Sequence, residues 1–247
     1  MSDQKVDILA FGVHPDDIEL SCAGTLLAEQ KRGKKTVIID LTMGELGTRG
    51  SAKSRKKEAE DSAKVLKVSH RENLEMRDGF FKNDEDNQLK VINVLRKYRP
   101  EIVLCNAPSD RHPDHGRASE LVKVSAFLSG LKKVVTLNDG NEQKEWRPTY
   151  VFSYIQDQYL QPDFVIDISD VIEEKIEAIK CYKSQFYNKD YKSDEPQTYI
   201  SSPQFLNNVI SRSEELGKQI GVKHAEGFLS SKLLGIRGFE FLIKNIT

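Results

Sequence analysis

The chain has 247 residues, of which 38% are hydrophobic and 30% charged, enough apolar material for a sizeable core and too much for a disordered chain. Its 37 Lys and Arg residues nearly balance 38 Asp and Glu residues, giving a net charge of -1. This balance predicts neither a nucleic acid nor a membrane as partner. Three scattered cysteines without a C-x-x-C pair favour a reduced, cytoplasmic compartment. The chain start has no signal-peptide pattern, and its longest apolar run, 8–13, is too short to cross a membrane.

The predicted elements alternate between strand and helix through the first half of the chain. Continuous apolar runs predict buried strands at 8–13, 36–41 and 102–105, and helical periodicity predicts helices at 19–32, 53–66, 87–98 and 117–128. This alternation predicts right-handed βαβ units and an α/β, Rossmann-like fold, with a mostly parallel sheet covered by helices on both faces. The less regular second half predicts strands at 149–155 and 164–168 and helices at 170–186 and 203–221. We therefore expect a single domain over 1–247 with an elaborated C-terminal half.

Polar clusters follow three of the predicted strands. They are His14-Pro15-Asp16-Asp17, the Gly-rich stretch 44–50, and Asp110-Arg111-His112-Pro113-Asp114-His115. In an open parallel sheet, ligands bind outside the carboxyl ends of the strands. Three of the five histidines of the chain lie in these clusters, a concentration that favours a shared site over independent solvated side chains.

The spacing within the first and third clusters is typical of metal ligands. His14 and Asp17 are three residues apart, as are His112 and His115, so one turn can bring each pair to a common point. Imidazole and carboxylate are suitable zinc ligands, and a catalytic zinc keeps three protein ligands and an open position. Two alternatives stay open: a four-ligand structural zinc that uses both His112 and His115, and polar turns without a metal. The first is less favoured because structural zinc sites prefer cysteine.

The two His-Pro-Asp clusters resemble the signature motifs of the PIG-L/LmbE-like family of zinc-dependent N-acetylglucosaminyl deacetylases. The stretch 44–50 with Arg55-x-x-Glu58 resembles a further block of this family. The segments 166–170, 182–186 and 225–228 are similar to the branch that acts on N-acetylglucosaminyl malate in bacillithiol biosynthesis. His224 stands where that branch usually has tyrosine.

The resemblance implies a role for each residue of the two motifs. One zinc ion per chain, or another divalent metal, would be held by His14, Asp17 and His115. Asp16 would be the general base that activates the attacking water. His112 would be the general acid or oxyanion stabiliser, with Asp114 as its orienting partner. Family members also tend to form homo-oligomers, often hexamers, which implies the same here.

The same resemblance implies a small N-acetylglucosamine conjugate as substrate, with the malate conjugate favoured. Malate carries two carboxylates, and an arginine can bind a carboxylate through two parallel hydrogen bonds. Arg55, which the resemblance brings to the substrate site, and Arg49, which lies near the same strand end, are the predicted substrate-binding residues. The alternatives are another conjugate, such as a chito-oligosaccharide or an inositol glycoside, or a non-enzymatic Rossmann-like binding protein.

Overall fold

The computed structural model describes residues 4–189, 194–236 and 238. The strands in these residues are β1 (Ile8–Gly12), β2 (Thr36–Thr42), β3 (His70–Met76), β4 (Ile102–Cys105), β5 (Leu137–Asn138), β6 (Asn141–Glu142), β7 (Tyr150–Tyr154), β8 (Phe164–Asp167) and β9 (Ala225–Ser230). The α-helices are α1 (Asp17–Ser21), α2 (Ala23–Lys31), α3 (Ala52–Val65), α4 (Glu85–Tyr98), α5 (Pro113–Leu128), α6 (Ile172–Lys180) and α7 (Pro203–Ile220). No described helix has both the length and the apolar character needed to cross a bilayer.

Seven of the strands form one sheet in the order β3-β2-β1-β4-β7-β9-β8. The pairs β3-β2, β2-β1, β1-β4 and β4-β7 are parallel, whereas β9 runs antiparallel to both β7 and β8. The prediction of a mostly parallel α/β sheet is thus confirmed. Strand order moves outward from β1 through β2 to β3 and then resumes on the other side at β4, so the topological switch point lies between β1 and β4.

The central strands are continuous apolar runs because helices cover both faces of the sheet. In β1, Leu9 and Phe11 face one core, together with residues of α4 and α5. Ile8 and Ala10 face the other core, together with residues of α2 and α6. All four side chains are buried. This two-sided burial fixes the register of β1, and with it the position of the polar residues that follow.

Two strands and a small hairpin were not predicted. The sequence of β3 is His-Arg-Glu-Asn-Leu-Glu-Met, which lacks an apolar run because this edge strand is mostly half-buried. The sequence of β9 resembles a family motif at 225–228 but does not predict a strand. The hairpin strands β5 and β6 pair around Asp139 and Gly140, which both have positive φ. An Asp-Gly pair with positive φ at both residues is a turn that favours hairpins.

The predicted helix at 19–32 begins earlier, at Asp17, and is interrupted at Cys22. A buried ion pair satisfies the backbone groups at this break. Glu226 accepts from the N–H groups of Gly24 (3.0 Å) and Thr25 (2.7 Å), and Lys175 Nζ lies 2.6 Å from Glu226 Oε1 and donates to the carbonyl of Leu20 (3.2 Å). Strand β9 and helix α6 thereby fix the junction between α1 and α2.

Replacing Lys175 by Met is expected to lower the free energy of unfolding by about 3–5 kcal/mol, because the Glu226 carboxylate would stay buried without its cation. Urea denaturation of both proteins measures the difference. Lys180→Met is the matched control, since Lys180 pairs with Glu177 at the exposed surface (2.9 Å) and such pairs contribute little. A similar small change in both variants would contradict the importance of the buried pair.

Candidate active site

The Asp17 carboxylate lies at the topological switch point and is 2% exposed. Its Oδ2 accepts from the backbone N–H groups of Val13 (2.9 Å) and His14 (3.0 Å) and from Asn106 Nδ2 (3.0 Å). Its Oδ1 accepts from Gln156 Nε2 (2.8 Å). Because Asn106 follows β4 and Gln156 follows β7, this one carboxylate joins the ends of three neighbouring strands.

Two histidines flank Asp17, and each has one ring nitrogen held by a carboxylate. His14 Nε2 lies 2.9 Å from Asp78 Oδ1, which leaves Nδ1 3.8 Å from Asp17 Oδ2. His115 Nδ1 lies 2.6 Å from Asp110 Oδ2, which leaves Nε2 3.3 Å from Asp17 Oδ1. A ligating histidine typically has its second nitrogen hydrogen-bonded in this way, which fixes the ring orientation. The three residues predicted as metal ligands are thus brought together.

The chemistry of this donor set fits a divalent metal. Burial lowers the pKa of His115, but the Asp17 and Asp110 carboxylates outweigh burial and raise it to about 10. The cluster therefore favours a positive charge at this point, and a metal ion would supply one. Two combinations have ligand atoms that all lie within 4.8 Å of one another: the three rings of His14, His112 and His115, and the set of His14, Asp78 and Asp114. The predicted set with Asp17 is not among these combinations of the described residues.

Asp16 is held apart from this cluster by Arg55. Its Oδ2 accepts from Arg55 Nη2 at 2.9 Å, and the same nitrogen donates to the carbonyl of Pro15 at 2.6 Å. Burial raises the pKa of Asp16 to about 7 although the Arg55 guanidinium acts in the opposite direction. Asp16 also has a φ of 130°, a conformation that stores about 1–3 kcal/mol of strain. These properties suit a general base, which works best with a pKa near the operating pH.

The two predicted substrate-binding arginines are both engaged with the protein. Arg55 is 4% exposed and is bonded to Asp16 and Pro15. Arg49 Nε donates to the carbonyl of Ser184 (2.8 Å), and its Nη1 is close to the carbonyls of Glu195 (3.5 Å) and Pro196 (3.4 Å). Although both line the cavity, their contacts do not favour the prediction that they bind a substrate carboxylate. Arg55 instead holds the Asp16 carboxylate. Arg49 binds the backbone of the loop that follows α6.

His112 stands at the N-terminal end of α5, half-buried, with its ring centroid 4.8 Å from that of His14 and 5.3 Å from that of His115. Its Nδ1 accepts from the backbone N–H of Asp114 (3.3 Å), so Nε2 is the nitrogen that can donate. Burial and the neighbouring histidines lower its pKa. The expected partner Asp114 therefore orients His112 through its amide. Its carboxylate instead accepts from Gly79 N (2.9 Å) and pairs with Arg117 (2.7 Å).

These side chains line a cavity of about 380 Å³ that opens to solvent. The lining includes the three predicted metal ligands and Asp16. Residues of the 194–202 segment and of helix α7 line the same cavity.

Residues 9–126 match the family model described as "PIG-L: GlcNAc-PI de-N-acetylase". The chain therefore carries a PIG-L family domain. It is 28% identical to the diacetylchitobiose deacetylase of Thermococcus kodakarensis, over 96% of this chain and 88% of that protein. It is 25% identical to "Probable N-acetyl-alpha-D-glucosaminyl L-malate deacetylase 2" of Bacillus anthracis, over 76% and 85%. The solved structure of a conserved protein from Thermus thermophilus superposes with a TM-score of 0.83 at 31% identity, covering 94% of this chain and 98% of that one.

Several polar residues of the PIG-L site had no role assigned from the sequence. Asp78 follows β3, and without that strand it could not be placed at the sheet edge. Asn106 and Gln156 directly follow β4 and β7, so their position after buried strands was the available signal. Asp110 lay within the noted cluster. His224, in contrast, bonds to Ser213 Oγ (3.0 Å) and is not among the residues that line the cavity.

Replacing His14 or His115 by Ala is expected to reduce bound divalent metal from about one ion per chain to near zero, because three protein ligands would become two. Inductively coupled plasma mass spectrometry of the purified proteins measures the content. His112→Ala is the matched variant and should retain the metal. Loss of metal from His112→Ala would favour the three-histidine set over the set with Asp17.

Arg55→Lys is expected to lower kcat about 10²-fold on neutral and anionic substrates alike, since a lysine cannot hold both the Asp16 carboxylate and the Pro15 carbonyl, and small displacements of a catalytic group are costly. Steady-state kinetics on one substrate of each kind measures the effect. Lys56→Gln, at an exposed position of the same helix, controls for charge. A loss confined to the anionic substrate would instead support the original anion-binding prediction.

Proposed function

We propose that the protein is a metal-dependent hydrolase that removes the acetyl group from an N-acetylglucosamine conjugate. The observation that carries this proposal is the buried cluster at the switch point, in which Asp17 lies between two carboxylate-held histidines while Asp16 stands beside it on a separate support. The deacetylase relatives named above provide independent support.

Amide hydrolysis requires an activated nucleophile, stabilisation of the tetrahedral oxyanion and protonation of the leaving amine. A divalent metal in the cluster would lower the pKa of a bound water and polarise the acetyl carbonyl. Asp16 would accept the proton from the attacking water. Arg55 would keep the Asp16 carboxylate pointed at that water, because its guanidinium is itself fixed by the Pro15 carbonyl.

His112 is suited to stabilise the oxyanion. Its Nδ1 is occupied by the Asp114 amide, so Nε2–H would donate to the developing negative charge without any change in protonation. A fixed donor in a partly desolvated site stabilises the transition state strongly. In this mechanism Asp16, once protonated, would donate that proton to the leaving amine.

The malate conjugate remains our proposed substrate, on the grounds of the resemblance of segments 166–170, 182–186 and 225–228 and of the malate deacetylase relative. The diacetylchitobiose deacetylase relative supports a neutral chito-oligosaccharide as the alternative. The engagement of Arg49 and Arg55 within the protein removes one reason for preferring an anionic substrate.

The metal-loaded protein should therefore be incubated with N-acetylglucosamine conjugates that carry malate, inositol or a second sugar, with acetate release and product mass as readouts. We expect the metal-loaded protein to remove one acetyl group from at least one conjugate. Chelator-treated protein should remove none. Absence of deacetylation on all of them, with full metal content, would contradict the proposed function.

Asp16→Asn should retain the metal and lower kcat about 10²–10⁴-fold, because the amide keeps the shape of the side chain but cannot accept the proton. Metal analysis and steady-state kinetics on the best conjugate test this. Asp17→Asn is the matched variant and should contain less bound metal than Asp16→Asn. If Asp16→Asn loses the metal instead, the two aspartates have exchanged roles.

A further inference from the structure

Arg212 of helix α7 lines the wall of the cavity. Its guanidinium donates one hydrogen bond, from Nη2 to the carbonyl of Leu20 at 3.3 Å. In the described part of the chain, no carboxylate lies within 4.0 Å of it. Arg212 is half-buried, so its charge is partly removed from water.

The acidic groups around the cavity are already committed to other partners. Asp157 accepts from Arg111 Nε at 2.7 Å and from the hydroxyl of Tyr199 at 3.1 Å. Asp110 is held by His115, and the carboxylate of Asp16 is held by Arg55. The carboxylates of the cavity are therefore bonded to other groups, whereas Arg212 has no carboxylate within 4.0 Å in the described residues and feels Asp157 and Asp110 only at longer range.

An arginine keeps its proton in proteins, so burial cannot remove this charge by neutralisation. A partly desolvated cation without an anionic partner is unfavourable, and an incoming anion recovers that free energy. A guanidinium with only one of its N–H groups engaged can also offer two parallel hydrogen bonds to a carboxylate or phosphate.

We propose that Arg212 is a specificity-determining residue that binds an anionic group, a carboxylate or a phosphate, on the aglycone of the substrate. The acetamide would lie at the metal end and the anion against α7. This inference rests on the proposed function, and it provides the cationic partner that neither Arg49 nor Arg55 supplies.

The alternative role of Arg212 is structural. Leu20 is near the end of α1, and its carbonyl also accepts from Lys175. If Arg212 only supports α1, its loss would displace Asp17 and Asp16, which lie at the start of that helix. Such a displacement would affect all substrates equally and would also weaken metal binding.

The test compares kcat/KM on three substrates: N-acetylglucosaminyl malate, N-acetylglucosamine 1-phosphate and the neutral methyl N-acetylglucosaminide. Arg212→Gln should lower kcat/KM on an anionic substrate about 10–100-fold, mainly through KM, and leave the neutral substrate nearly unchanged. Arg212→Lys should recover part of the loss. Lys218→Gln removes a positive charge from an exposed position of α7 and should have no selective effect. The anionic substrate with the larger selective loss identifies which anion the site accepts.

Equal loss on the three substrates, or reduced metal content, would overturn the proposal and assign Arg212 to the support of α1. Unchanged kinetics on all three would also overturn it. If the wild-type protein deacetylates none of them, the proposed function fails, and calorimetric titration of the metal-loaded protein with malate and inorganic phosphate decides for Arg212 separately. Weaker binding of either anion by Arg212→Gln and by Arg212→Lys would then support an anion site, and equal binding would refute it.

Discussion

The hydrogen bonds to the Asp17 carboxylate are the constraint on which the rest of the site depends. Four donors converge on it from the ends of β1, β4 and β7. Burial alone would raise the pKa of Asp17, but His115, His14 and the Gln156 amide hold it well below its usual value. An ionised carboxylate with four hydrogen bonds therefore serves two purposes. It holds three strand ends together, and it sets the electrostatic field in which the two histidines are placed.

A second support, independent of the first, holds Asp16, the proposed general base. Arg55 reaches from α3 to Asp16 beneath the Gly-rich loop, and Gly44 is the residue that makes room for it. Gly44 has a φ of 63°, and a Cβ atom there would collide with the Arg55 guanidinium. Gly44 is thus required because the Arg55 side chain passes close to its Cα atom. The glycine at this position is therefore explained without a bound phosphate. Because Asp16 and Asp17 are held by separate groups, these neighbouring residues can face different partners.

The parts of the fold that could be predicted are those with strong local patterns. Continuous apolar runs indicated β1, β2 and β4 because both faces of these strands are buried. The polar residues after them were placed correctly because parallel strands end at one edge of the sheet. Edge strand β3 has no such pattern. Because this strand was not predicted, the position of Asp78 at the sheet edge could not be predicted either. The pairing of Arg55 with Asp16 depends on tertiary contact between residues 39 positions apart, and nothing in the local sequence of either segment specifies it.

Strand β9, which runs antiparallel to its neighbours in the seven-stranded sheet, has a consequence for how the chain assembles during synthesis. Strands β3, β2, β1, β4 and β7 all lie within residues 8–154, and this part of the chain already includes Asp17, Asn106 and the three histidines of the two motifs. In the described structure, however, β8 pairs with β9 alone, and β9 ends at Ser230. The edge of β7 that pairs with β9 therefore stays unpaired until residues 225–230 have been synthesised. An unpaired strand edge is a template for association with other chains. Strand β9 covers that edge, and it also brings in Glu226, which accepts hydrogen bonds from Gly24 and Thr25 at the start of α2.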